Sequence, residues 1–262
     1  GPNATRTSQN SQTPNRLRQG HPRGKALPTG GKGLNGMREP EVIFQDDWIL
    51  AVNKPSGMAV HRGWARDRFV LVDWVKSVTE AATAYPLGRL DRGTSGVVLF
   101  AQTREGASLC QAALEGALST KRYLALVRGT PPDKGVIDHP LPRKEGGPRM
   151  PALSRYQTLA TAETEPRHLS WVEVVIESGR LHQVRRHMKH INHPIIGDSN
   201  YGRTELNRAV RDRYGLQRLA LHASSLSLVH PESGEEICFS VPVPDDLATP
   251  LRRMGFSGDI LG

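Results

Sequence analysis

Apolar positions along this 262-residue chain fall into short runs, and several of these runs have the two-residue period of a β-strand. The clearest run is 171–178, in which Val172, Val174 and Ile176 point to one side while two glutamates point to the other. Two β-prone runs on either side of Asp46-Asp47 predict a hairpin. The predicted strands cover 41–45, 48–52, 97–101, 122–127, 155–160 and 171–178, and two more flank Pro231–Gly234.

Other segments carry apolar residues three and four positions apart, which is the spacing of an amphipathic helix. The segment 104–118, for example, places Ala107, Cys110, Leu114 and Leu118 on one stripe. The predicted helices cover 69–80, 104–118, 181–191 and 246–254. Strands outnumber helices and do not strictly alternate with them. We therefore expect an α+β fold with a mostly antiparallel sheet and flanking helices.

The formal charge of +9 is concentrated at the N-terminus. Residues 1–38 contain seven lysines and arginines and no acidic residue, and removing them leaves 28 basic against 26 acidic residues. This segment is rich in glycine, proline, serine and asparagine, which predicts a disordered basic arm, and Gly1-Pro2 resembles the remnant of a cleaved tag. We expect one folded domain over 39–262, whose contacts with an acidic partner depend on a local basic face.

Two further features bear on the cellular setting. Cys110 and Cys238 are the only cysteines, too few for a disulfide framework, and neither has metal-ligating neighbours in the sequence. No apolar run approaches the roughly 18 residues that a membrane-spanning helix needs. These features favour a protein of the reducing cytoplasm that does not span a membrane.

A lone carboxylate stands out in the segment PLGRLDRGTSGVVLF, where Asp91 lies between Arg89 and Arg92. A glycosidase of the usual kind needs a second facing carboxylate, and a phosphoryl-accepting aspartate needs Mg²⁺ with another acid. No other acidic residue lies within ten positions of Asp91. Two interpretations remain at this point: a structural ion pair, or a nucleophile kept ionised by a nearby cation.

The predicted helix over 181–191 carries a second dense group of functional side chains. Opposite its apolar side it presents His182, Arg186, Lys189 and His190, which suits contacts with phosphates but also fits a solvated basic face. Arg185 lies beside the apolar stripe and could turn inward toward a partly buried carboxylate. Histidines recur through this region, but the neighbouring cations and the lack of carboxylate partners argue against a metal site.

Four motifs, taken together and in order, resemble the RluA-type pseudouridine synthases. RLDRGTSG at 89–96 is similar to the family's Arg-Leu-Asp signature, and KRYLALVRG at 121–129 is similar to its Lys-x-Tyr strand. GRLHQVRRH at 179–187 and LALHASSLSL at 219–228 match two later motifs. Gly88 departs from the pattern, because the family commonly has histidine there. The resemblance spans about residues 41–255.

The resemblance implies a single catalytic domain with a central RNA-binding cleft, and it implies roles for individual residues. Asp91 would be the nucleophile on a flipped uridine, Tyr123 would stack on the base and assist proton removal at C5, and Arg185 would pair with Asp91. Arg89 would fill the space that the uridine leaves. The expected RNA-binding residues are Arg89, Arg92, Arg180, His182, Arg186 and Lys189. No cofactor and no metal are implied.

Within the family, the chain most resembles the tRNA pseudouridine(65) synthases. This rests on the opening FQDDWILAVNKPSGMAVHR, on HPIIGDSNYG, and on the long stretch between that turn and LALHAS. We therefore expect tRNA as the partner of a monomeric enzyme, with binding through the 180–193 region more than through the arm. Two alternatives stay open: a synthase that modifies ribosomal RNA, and an RNA-binding protein of this fold without activity.

Overall fold

The computed structural model describes residues 38–63, 67, 69–79 and 83–261, which form a ten-stranded mixed sheet with helices packed on it. The strands are β1 (Glu41–Gln45), β2 (Ile49–Lys54), β3 (Tyr85–Leu87), β4 (Ser95–Ala101), β5 (Thr120–Arg128), β6 (Lys134–Asp138), β7 (Leu141–Pro142), β8 (Arg149–Met150), β9 (Leu153–Ala162), β10 (Leu169–Ile176), β11 (Leu221–Val229) and β12 (Glu236–Ser240). The helices are α1 (Leu71–Thr79), α2 (Arg104–Glu115), α3 (Gln183–His190), α4 (Thr204–Tyr214) and α5 (Asp245–Arg253), followed by a 3₁₀ turn at Gly258–Ile260.

The sheet confirms the predicted α+β class with mostly antiparallel pairing. Its strands run in the order β1-β2-β4-β11-β5-β10-β9-β6, while β3 pairs with β4, β12 pairs with β11, and β7 and β8 form a separate ribbon. Among the strands that the structure describes, only β4 and β11 pair in parallel, with His222 opposite Ser95. In the described residues this parallel contact joins the two halves of the sheet, and the turn that carries Asp91 leads directly into β4.

Strand β4 is buried along its whole length, because both faces of this half of the sheet are covered. Val97 and Leu99 pack with Cys110 and Leu114 of α2 on one side. Val98 and Phe100 pack with α1 on the other. A buried strand whose residues 97–101 are apolar on both faces has little freedom to shift, so the N-terminal end of β4 is a rigid support for the turn before it.

The second half of the core lies between β5, β10 and the helices α3, α4 and α5. Val172, Val174 and Ile176 are all buried, which confirms the predicted alternation, although β10 begins two residues earlier than expected. Trp171 is fully buried and its indole Nε1 donates to the carbonyl of Ile260 at 3.0 Å. This packing holds α3 against the sheet opposite the turn that carries Asp91.

Several boundaries differ from the sequence predictions. The helix expected over 104–118 ends at Glu115, because Gly116 adopts an extended backbone, and Leu118 is 68% exposed instead of lying on the apolar stripe. The helix expected from residue 181 begins at Gln183, since His182 has a left-handed backbone. Helix α4 was not predicted, because its buried Leu206 and Val210 are surrounded by charged residues.

The predicted basic arm lies outside the described residues apart from Arg38, whose guanidinium pairs with Asp245. The last residue of the helix predicted over 69–80 also lies outside them. Of the helices that are described, none has the length and apolar character that crossing a membrane would require.

Candidate active site

Asp91 lies in a tight turn that is held from behind by the segment after β2. The backbone N–H of Thr94 donates to the Asp91 carbonyl at 3.0 Å, and the N–H of Gly57 donates to the Arg92 carbonyl at 2.8 Å. The buried Lys54 ammonium also donates to the Arg92 carbonyl, at 3.2 Å. The Thr94 bond closes the turn itself, whereas the bonds from Gly57 and Lys54 come from a different part of the chain and fix the turn against the sheet.

The backbone conformation and close packing of Gly96 explain why the motif RLDRGTSG ends in glycine. Its φ of +121° lies in the region that favours glycine, and a Cβ added there would lie 2.1 Å from the carbonyl oxygen of Ala223 on β11. A residue with any side chain would therefore push β4 away from β11. The glycine allows the parallel contact that joins the two halves of the sheet beside Asp91.

The carboxylate of Asp91 faces a cleft of about 420 Å³ between the two halves of the sheet. Its Oδ2 accepts a hydrogen bond from Arg185 Nη1 at 2.8 Å. Its Oδ1 lies 3.6 Å from His182 Nε2. The side chain keeps 23% of its surface exposed, so one oxygen is held by a guanidinium while the carboxylate stays open to the cleft.

Arg185 is itself held by a second carboxylate, Asp198. Nε and Nη2 of Arg185 donate to the two oxygens of Asp198 at 2.8 and 2.9 Å, which leaves Nη1 for Asp91. Burial would lower the pKa of Arg185, but the hydrogen bonds to Asp198 and Asp91 raise it above its ordinary value. The guanidinium is therefore permanently charged and fixed in orientation.

Asp198 has no exposed side-chain surface and depends on its hydrogen bonds to remain charged. The backbone N–H groups of Asn200 and Tyr201 donate to its Oδ1 at 2.9 and 3.0 Å. Burial raises the pKa of Asp198, but the bonds from Arg185 and from these N–H groups outweigh it and hold the pKa below 3.8. The Asp198 carboxylate thus accepts bonds from the backbone of its own turn and also holds the Arg185 guanidinium in place.

We expect a specific pH dependence of stability from Asp198. A carboxylate whose pKa is lowered by folding stabilises the protein above its unfolded pKa, and this contribution is lost as the pH falls through the folded value. Asp198→Asn should therefore be less stable than the wild type at neutral pH, and the gap in free energy of unfolding should narrow below about pH 4. Urea titrations across this range test it. Asp212→Asn, an exposed carboxylate on α4, is the control, and a gap that stays constant would contradict the expectation.

Tyr123 lies on β5 and lines the same cleft as Asp91. Because side chains alternate along a strand, Lys121, two positions earlier, also lines it. Burial, with a further contribution from the charge of Asp91, raises the pKa of Tyr123 well above its ordinary value. The phenol is therefore neutral at physiological pH, with its ring packed against the core formed by β5 and β10.

The residues expected to bind RNA are divided between the cleft and its rim. Arg89, Arg180 and His182 line the cleft. Arg92 is not part of the cleft lining, and its guanidinium pairs with Asp67. Arg186 and Lys189 lie over the ring of Tyr201, at 5.8 and 5.9 Å from its centre. Three of the six residues expected to bind RNA therefore line the cleft with Asp91, and the other three lie outside its lining.

The histidines of the 182–193 region do not converge. His187 is buried, with Nδ1 bonded to Ser154 Oγ at 2.7 Å and Nε2 to the His139 carbonyl at 2.9 Å. His190 instead stacks on His139 at the surface. Among the described residues, no group of three or more His, Cys, Asp or Glu side chains is arranged to hold a metal ion.

The segment HPIIGDSNYG entered the sequence predictions only through the family resemblance, and the contacts of Asp198 and Tyr201 with the predicted site residues were missed. Their motif, Gly197-Asp198 followed by Tyr201-Gly202, was the available signal, but nothing local connects it with Arg185 on α3. The role of Lys54 in supporting the Asp91 turn was missed for the same reason. The contact of Lys54 with Arg92 joins residues 38 apart in the chain, and that of Arg185 with Asp198 joins residues 13 apart on different elements.

Comparison with known proteins shows the family of this chain. A family model described as RNA pseudouridylate synthase matches residues 48–190. The chain is 35% identical to tRNA pseudouridine synthase C of Salmonella typhimurium, over 83% of this chain and 91% of that protein. It is 38% identical to the Haemophilus ducreyi protein of the same name, over 83% and 97%. The solved structure of human RNA Pseudouridylate Synthase Domain Containing 4 superposes with a TM-score of 0.65 at 25% identity, covering 81% of this chain and 92% of that one. The chain therefore belongs to the RluA-type family of RNA pseudouridine synthases.

Proposed function

We propose that this pseudouridine synthase acts on a uridine in the T-stem of tRNA and uses Asp91 as its nucleophile. The observation that carries the proposal is the open Asp91 carboxylate, bound by Arg185 on one oxygen and facing the cleft. The sequence likeness to proteins named tRNA pseudouridine synthase C supports the choice of RNA. The roles below follow from the contacts of each side chain.

The isomerisation breaks the N1–C1′ bond of uridine and forms a C5–C1′ bond, so one proton leaves C5 and one is gained at N1. Asp91 attacks either the sugar or the base and is released when the new bond forms, and the reaction needs no co-reactant. Arg185 holds Oδ2, which leaves Oδ1 as the oxygen with lone pairs free for attack. The attack needs a carboxylate in a fixed orientation, and the hydrogen bond from the charged guanidinium supplies that orientation.

Tyr123 lies where it can stack on the uracil ring in the cleft. A neutral phenol makes such a stacked contact without the cost of burying a charge. It takes part in proton removal from C5 as a relay, accepting that proton while its own hydroxyl proton passes to solvent water in the open cleft. The raised pKa of Tyr123 argues against a free phenolate acting as base.

Flipping a uridine out of a stem costs a few kcal/mol, and this cost must be offset by contacts with the RNA. Arg89 is exposed at the rim of the cleft and can enter the space that the base leaves. Arg180, Arg186 and Lys189 supply positive charge on the facing side, where phosphates would run. Arg92 serves in this proposal to brace the loop through Asp67.

The test is a comparison of RNA substrates. A tRNA transcript with uridine in the acceptor-proximal strand of its T-stem should be modified at that one site, and fragments of 23S ribosomal RNA should not. The same transcript with that uridine replaced by cytidine is the matched control and should gain no pseudouridine. Modification of a ribosomal hairpin with the tRNA left untouched would favour the ribosomal alternative and overturn the tRNA assignment.

A further inference from the structure

His182 and Tyr201 form a short polar chain that ends at Asp91. The hydroxyl of Tyr201 is 3.0 Å from His182 Nδ1, and the two rings meet edge to face. On the other side of the imidazole, Nε2 lies 3.6 Å from Asp91 Oδ1. This is the oxygen that Arg185 does not bind, so the two carboxylate oxygens face two different partners.

The backbone of His182 is unusual in a way that serves this contact. Its φ of 51° is left-handed, a conformation uncommon for residues other than glycine, and it directly precedes α3. A residue in the first turn of α3 would direct its side chain differently. The left-handed residue instead turns the imidazole into the cleft, where it lies between Tyr201 and Asp91, and such strain often accompanies a functional contact.

The neighbouring charges decide which ring nitrogen carries the proton. If Nδ1 were protonated, the lone pair of Nε2 would face the negative Oδ1 of Asp91. If Nε2 is protonated, Nδ1 accepts from the Tyr201 hydroxyl and Nε2–H points at the carboxylate, so both contacts are favourable. The Tyr201 hydroxyl can donate this bond to Nδ1. The side chains over its ring are the cations Arg185, Arg186 and Lys189, which offer no competing acceptor.

We infer that His182, held in its Nε2–H form by Tyr201, is a positioning residue that orients Oδ1 of Asp91 for attack. This inference rests on the proposed role of Asp91 and goes beyond the RNA contact expected for His182 from the sequence. At 3.6 Å the N–H lies just outside hydrogen-bonding distance, so a small rotation of the carboxylate brings the two groups together. Arg185 and His182 then limit that rotation from both sides.

A neutral imidazole suits this task better than a charged one. A protonated His182 would form an ion pair with Oδ1 and weaken it as a nucleophile. Burial lowers the pKa of His182, and Arg185 and Arg186 add to this effect, while Asp91 and Asp198 oppose it, with a net value below 6.5. The ring is therefore neutral under physiological conditions.

The first test needs no substrate. Long-range ¹H–¹⁵N spectra of the uniformly labelled full chain distinguish the two neutral tautomers of each histidine. The His182 signals are identified by their loss in His182→Gln. We expect an Nε2–H tautomer in the wild type and a mixture in Tyr201→Phe, which keeps the ring and removes only the hydroxyl. An Nδ1–H tautomer in the wild type would overturn the inference, whatever RNA the enzyme modifies.

The second test compares two amides that differ by one methylene. His182→Asn tolerates the left-handed backbone but ends near the position of Nδ1, too short to reach Asp91. His182→Gln places an N–H donor near the position of Nε2. In single-turnover reactions with saturating enzyme, we expect the Asn variant to be slower by about 10- to 100-fold and the Gln variant to stay within about 5-fold of the wild type. The RNA dissociation constant should change by less than about 3-fold in either.

Each outcome of this comparison either supports or overturns the proposed role of His182. Equal losses in the Asn and Gln variants would mean that the N–H donor is not what counts, and an unchanged Asn variant would remove the role altogether. A weakened dissociation constant that accounts for the slower reaction would return His182 to RNA binding. His168→Gln, at an exposed histidine outside the cleft lining, is the control and should leave the single-turnover rate constant and the RNA dissociation constant unchanged. A wild-type enzyme inactive on every tRNA would refute the proposed substrate, but not the tautomer result.

Discussion

Asp91→Asn is expected to abolish pseudouridine formation while leaving RNA binding intact. Asparagine has nearly the shape of aspartate, and the backbone bonds that hold the turn, from Thr94 to Asp91 and from Gly57 to Arg92, do not involve the side chain. The variant also removes a negative charge from a cleft that faces phosphates, which cannot weaken the electrostatic attraction. Because the described cleft has no carboxylate in an equivalent position, we expect a loss on the order of 10³-fold or more.

Tritium release from RNA labelled at C5 of uridine measures the isomerisation, and filter binding on the same RNA measures affinity. Asp212→Asn provides the matched control, because its carboxylate is exposed on α4 outside the cleft lining. Its activity and affinity should equal those of the wild type. Tritium release by the Asp91 variant at an appreciable fraction of the wild-type rate would show that Asp91 is not the nucleophile.

Arg185→Ala is expected to damage both stability and activity. The side chain is 91% buried and joins two carboxylates, of which Asp198 has no exposed surface. Removing one partner of a buried ion pair leaves the other charge without compensation, and this costs about 3–5 kcal/mol. Asp91 would also lose the contact that orients Oδ2, so activity should fall even in the fraction of molecules that remains folded.

Urea unfolding gives the stability of the variant, and tritium release per folded molecule separates the two effects. Arg186→Ala, one residue later on the same helix, is the control for stability and should cost less than about 1 kcal/mol, since Arg186 pairs with no buried carboxylate. Arg185→Lys keeps the charge but cannot serve three oxygens of two carboxylates, so it should recover part of the stability and little of the activity. An Arg185→Ala enzyme as stable as the wild type would contradict the bridging role.

The elements that depend on local periodicity could be predicted from the sequence. The hairpin at β1 and β2, the buried run of β4 and the alternation of β10 follow from which neighbours are apolar, and burial depends on that pattern. The boundaries of the helices did not follow from this pattern, because they depend on single residues such as Gly116, which ends α2, and His182, whose left-handed backbone moves the start of α3 to Gln183. A hydrophobic period carries no information about such backbone conformations.

The candidate site shows the same division. The sequence by itself determined that Asp91, Tyr123 and Arg185 lie in motifs of one family, and that no second carboxylate accompanies Asp91 nearby in the chain. Only the tertiary structure decided that Asp198 accepts two hydrogen bonds from Arg185 and that the Tyr201 hydroxyl contacts His182 beside Asp91. Arg185 and Asp91 are 94 residues apart. Contacts of this kind form when tertiary packing brings separate segments together. Their distances, and which oxygen of a carboxylate stays unbonded, therefore depend on the fold and not on the neighbouring residues in the sequence.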